Sequence, residues 1–248
     1  MNLWRLEWLR LVRTKRWIAL VGIYVFFGLL GPLTARYVGE IVERFGGGVR
    51  VTFPPPVPAD GMMQYVANAS QVGLLVAVVV AAGSLAFDAK PEMGVFLRTR
   101  IPRVWDILVP RLVVTFAAVA GSFVLGALAA WYETIVLIGN LPAGGTLAGI
   151  GFGLLYLALV VAIVAAVASR AKSVLGAVMI TIVVLLVMPI IGIVEAIGAW
   201  LPSYLVGALA AIPGGAAIAD YLPASVVTLV LIGFSLWLAV RWSAAREV

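Results

Sequence analysis

Two side chains that carry much of enzyme chemistry are missing: the chain has no cysteine and no histidine. That removes thiol nucleophiles, disulfides, serine–histidine triads and imidazole-ligated zinc. Eleven carboxylates and seventeen Lys or Arg remain. Three carboxylates are singled out by position. Glu133 and Glu195 fall near the outer ends of two apolar runs, each about twenty residues from the run's inner end, and Asp220 precedes the last run. There they read either as interfacial carboxylates in contact with water or as the acidic vestibule of a path. The adjacent thioethers Met62 and Met63 make a poor soft-metal site without Cys or His beside them. No GxxxxGK[ST] phosphate loop is present, so the chain does not bind ATP in that way.

The elements that must hold these residues are apolar. Of 248 residues 64% are hydrophobic and 11% charged, against roughly 25% charged in a soluble domain. Lipid must be the solvent for much of the chain. Six runs, near 17–35, 66–87, 109–132, 144–168, 174–196 and 224–240, are each long enough to cross a hydrocarbon core. Counting from a cytoplasmic N-terminus, fourteen of the seventeen basic residues fall between runs on the inner side. Only Arg36, Arg44 and Arg50 fall outside. The positive-inside rule then predicts six spans with both termini cytoplasmic. The net charge of +6 reads as topology rather than as a nucleic-acid surface.

Residues 1–16 read as an interfacial helix. At 100° per residue Met1, Trp4, Trp8, Leu11 and Val12 share one face, and Arg5, Glu7, Arg10, Arg13 and Arg16 take the rest. An ordinary basic flank is the plainer alternative. Beyond the first run, Tyr37, Ile41, Val42 and Phe45 recur at helical spacing, and Pro54, Pro55, Pro56 and Pro58 follow as a stiff linker. Between runs five and six the chain is apolar but broken by Pro202, Pro213, Gly214, Gly215 and Pro223, which predicts short outer or re-entrant helices. Pro189 is expected to kink the fifth run. Gly121 with Gly126, and the GxxxG series Gly145, Gly149 and Gly153, predict close helix packing.

The long inner segment 88–104 is the most informative. Pro91 suits the first turn of a short helix and Pro102 its end. Between them Met93, Val95, Phe96 and Leu97 are apolar in charged surroundings, as expected of anchors for a protein groove or of residues that dip into the bilayer surface. The run Glu92-Met93-Gly94, the run Trp105-Asp106-Ile107-Leu108 followed by Arg111, the basic tail Arg241-Trp242-Ser243-Ala244-Ala245-Arg246-Glu247 and the six-span plan together resemble, over essentially the whole chain, the transmembrane subunits of ABC-2 type ATP-binding-cassette transporters.

The resemblance implies an all-α membrane domain that is not itself an enzyme. The segment 88–104 would be a coupling helix. Glu92, Met93, Gly94, Val95, Phe96, Leu97, Arg98 and Arg100 would dock on a separate ATPase subunit that holds ATP and Mg, this chain binding no cofactor. It implies a dimer with a second permease copy or a similar permease, export of a hydrophobic or amphiphilic substrate, and a prokaryotic plasma or inner membrane. The competing reading is a stand-alone channel, secondary carrier or scaffold, although a carrier ordinarily places ionisable groups near the midplane.

Overall fold

The computed structural model describes residues 3–45, 54–86 and 104–244. Among these every regular element is helical. In chain order they are α1 (Leu3–Arg13), α2 (Arg16–Phe45), α3 (Pro58–Asn68), a π-turn (Ala69–Gly73), α4 (Leu74–Leu85), α5 (Val104–Leu137), α6 (Ala143–Arg170) and α7 (Val174–Ile191). Then come α8 (Glu195–Gly198), a 3-10 turn (Pro202–Gly207), α9 (Ala208–Ala211), a second 3-10 turn (Ile218–Tyr221) and α10 (Leu222–Ala244). The rod α3–π–α4, together with α2, α5, α6, α7 and α10, supplies six helices long and apolar enough to cross a membrane. The chain is a multi-pass membrane protein.

Local chemistry sets several helix ends. The Asp60 carboxylate accepts the Val57 N–H at 2.8 Å, and the Asp60 N–H donates to the Val57 carbonyl at 2.9 Å, which makes Val57 the cap of α3 with Pro58 as its first residue. The Ser173 hydroxyl oxygen accepts the Gly176 N–H at 3.0 Å and caps α7. Lys15, with φ 54°, stands in the left-handed region between α1 and α2. A residue with a Cβ is strained there by about 1–2 kcal/mol, and the turn sets the angle at which α1 leaves α2.

Two apolar cores share α6 as a common wall. One gathers α2, α3 and α5 around Tyr24, Tyr65 and Phe123; the other gathers α4, α7, α10 and the 3-10 turns around α6. The GxxxG series packs closely, Gly145 and Gly149 against the broken segment and Gly153 against α5. A Cβ on Gly149 would lie 2.5 Å from the Leu209 Cα, one on Gly145 3.2 Å from the Pro213 Cα, and one on Gly153 2.6 Å from the Phe123 ring. Gly126 receives the backbone of α2 at Tyr24 and Gly28, whereas Gly121 faces open space and packs nothing.

Three further features of the sequence find their places. The helical spacing of Tyr37 and Ile41 belongs to α2 itself, which runs unbroken to Phe45. The fifth membrane helix stops at Ile191, so Pro189 lies inside it, in its last turn. Met62 is fully buried while Met63 is exposed, which separates the two thioethers.

Candidate functional site

Glu7 is not on the solvated face of α1. It is 6% exposed, and its Oε1 accepts from the Arg111 Nε at 3.0 Å; Arg111 itself is 5% exposed. Arg10 adds a looser contact, its Nη1 3.7 Å from the Glu7 Oε2. The inward face of α1 therefore carries Glu7 and Leu11, and the expected apolar face is split. Trp4 and Trp8 point away from the bundle, Trp8 being 54% exposed, as a headgroup-facing surface requires. Arg5 and Arg13 are exposed beside them.

Arg111 is one residue beyond Pro110, near the start of α5. At the same end of the bundle a Cβ on Gly83, close to the end of α4, would lie 3.0 Å from the Arg16 guanidinium. Both helices that flank residues 87–103 thus meet the N-terminal helix pair: α4 through Arg16, and α5 through Glu7–Arg111. The docking residues predicted between them, Glu92 to Arg100, lie outside the described residues.

The second feature lies near mid-membrane. Arg16 and Arg36 bracket about 30 Å of α2, the thickness of a hydrocarbon core, with its middle near residue 26. The Tyr24 ring sits on Gly73, and the Tyr65 backbone sits on Gly31. Residue 26 is therefore about level with residues 70–71, inside the π-turn. Around this level the rod α3–π–α4 turns Gln64 and Gln71 outward, with half-exposed Asn68 between them on the same face. A primary amide moved from water into alkane without a hydrogen bond costs about 4–8 kcal/mol. Facing lipid, this stripe would be heavily penalised; facing water or protein, it is satisfied.

Behind the stripe the tyrosines pack around Phe123. Tyr24 meets that ring edge-on at 5.9 Å, and Tyr65 stacks on it at 6.2 Å while donating its hydroxyl to the Phe123 carbonyl at 3.1 Å. The π-turn ends where the Tyr24 ring occupies the space a side chain at Gly73 would need.

The far-end carboxylates are less organised. Glu133 is half-buried near the end of α5, Asp220 is exposed in the second 3-10 turn, and Glu195 opens α8. No hydrogen bond or ion pair joins Glu133 to Asp220 among the described residues. Sequence reasoning missed the amide stripe, although Gln64, Asn68 and Gln71 at helical spacing in an apolar run were its signal. It also missed the partner of Glu7, for which no local signal exists.

No family model, curated protein or solved structure matches this chain.

Proposed function

We propose that this chain is the membrane subunit of an ATP-binding-cassette transporter of the ABC-2 type. It moves a hydrophobic or amphiphilic substrate and is driven by a separate ATPase subunit that holds ATP and Mg. The observation that carries the reading is the uncovered amide stripe of Gln64, Asn68 and Gln71, at mid-membrane on the rod that runs into residues 88–104. A polar face at that depth needs water or another subunit against it. The exposed face of α7, apolar throughout because the helix's one polar side chain, Thr181, is turned inward, would complete the shared face with a second copy or a similar permease.

In this reading the basic end of the bundle is cytoplasmic, and Phe96 and Leu97 anchor 88–104 in the ATPase groove. Motion there reaches α4 and α5 at once, because both flank the segment. Through Glu7–Arg111 it carries α1 along the headgroup layer. At the far end Glu133, Glu195 and Asp220 would border the mouth of the path.

The test is purification from the native membrane with the products of neighbouring reading frames. An ATPase subunit should co-purify, and Phe96→Asp should release it and abolish transport-coupled ATP hydrolysis. A chain that purifies without any ATPase, or a Phe96→Asp variant that retains both properties, would favour a stand-alone channel, carrier or scaffold.

A further inference from the structure

Between the two cores, at the level of the π-turn, lies a cavity with room for about two water molecules. Its walls are largely apolar, formed by Val66, Leu74, Phe123, Leu157 and Val206 among others. Three hydroxyl-bearing residues, Tyr24, Ser70 and Tyr156, also line it. Ser70 donates to the Ala67 carbonyl at 3.0 Å, which leaves its oxygen able to accept. Tyr24 is 1% exposed and Tyr156 7%, yet neither hydroxyl has a hydrogen-bond partner among the described residues. Tyr65, in the same cluster, has one. Neither hydroxyl is among the fully buried side-chain polar atoms without a partner, which among the described residues are Trp131 Nε1 and Thr181 Oγ1; the two phenols line the cavity with their hydrogen-bonding capacity open to what enters it.

What enters is limited by the lining. No charged side chain borders the cavity, so an ammonium or carboxylate would be stripped of water without a counter-charge. A plain hydrocarbon would leave both phenols unpaired. A group that donates and accepts, or accepts twice, satisfies them. The half-exposed lining residues Val66, Ser70, Leu74 and Val206 mark the opening, between the rod α3–π–α4 and the first 3-10 turn. The cavity itself is too small for a whole amphiphile.

We propose that this cavity binds the uncharged hydrogen-bonding end of an amphiphile, an alcohol or carbonyl group, on Tyr24, Tyr156 and Ser70, with the apolar body leaving past Val206. The inference concerns this chain alone and holds with or without an ATPase partner.

Photolabelling of the purified full chain in lipid nanodiscs tests it. The probes are dodecanol carrying a diazirine beside the hydroxyl, and the alkane, carboxylate and trimethylammonium analogues of the same length. The alcohol should label 66–74 and 153–157 above all three analogues. Each lost hydroxyl should lower that labelling about fivefold, so Tyr24→Phe with Tyr156→Phe should bring it to the alkane level. Val206→Phe, which narrows the opening and leaves the hydroxyls intact, should also reduce it, and so serves if the double variant does not fold. Equal labelling by alcohol and alkane, equal labelling by a charged analogue, or labelling indifferent to these variants would each overturn the proposal.

Discussion

Two buried polar clusters divide this molecule. At the N-terminal end of the bundle Glu7 and Arg111 are charged, fully enclosed and paired at 3.0 Å. Near mid-membrane Tyr24 and Tyr156 are neutral, as deeply enclosed, and unpaired among the described residues. The first cluster lies where α1 meets the start of α5, so its desolvation is offset within the chain and its role is to fix one helix on another. The second lies beside a cavity, where its hydrogen-bonding capacity is open to a visitor. Burial alone therefore does not tell a structural polar group from a receptive one; an internal partner marks the first, and a free hydroxyl on the wall of a cavity marks the second.

The largest effect should come from breaking the first cluster. Arg111→Met leaves Glu7 enclosed with only the looser Arg10 contact and should destabilise the chain by up to about 3–5 kcal/mol, seen as a fall in thermal unfolding temperature in detergent. Glu7→Met added to it should recover most of that loss. If Arg111→Met alone is silent, the pair does not lock α1 and the contrast fails. A steric control comes next. Gly149→Val drives a Cβ against the Leu209 backbone and should cost about 1–3 kcal/mol, whereas Gly121→Val, in open space, should be near neutral by the same melting assay. The smallest effect belongs to the second cluster. Tyr24→Phe and Tyr156→Phe remove hydroxyls that have no internal partner, so each should leave unfolding within about 0.5 kcal/mol of the parent. A large loss in either variant would make that hydroxyl structural and erase the distinction.

What could be read in advance follows the range of the physics involved. Six membrane helices are legible because apolar length is a local property, and a window of about twenty residues contains the whole signal. The GxxxG series announced a close approach but not its partner, since Leu209 and Pro213 lie some sixty residues further along. Glu7 was misplaced because the helical wheel of α1 groups it with Arg5 and Arg10; only Arg111 draws it inward. The π-turn was invisible for the same reason, as it forms where the ring of Tyr24, from another helix, fills the space above Gly73. The end of the fifth membrane helix was not legible either: the apolar run continues to about residue 196, but the turn at Gly192, whose N–H donates to the Met188 carbonyl at 3.1 Å, closes the helix at Ile191. The docking segment 88–104 falls almost wholly outside the described residues, so its reading rests on its sequence.

The two ends of the Glu7–Arg111 pair are separated by 104 positions in the chain. During synthesis α1 emerges before α5, and its acidic anchor lacks Arg111 until α2 and the rod α3–π–α4 have entered the bilayer and the head of α5 has followed. In that interval α1 can rest only on its tryptophans at the lipid surface, with Glu7 kept company by Arg10. The seating of α1 through Glu7 thus waits for the arrival of α5. A nascent chain truncated before Arg111 should carry a protease-sensitive N-terminus that one extended through α5 does not.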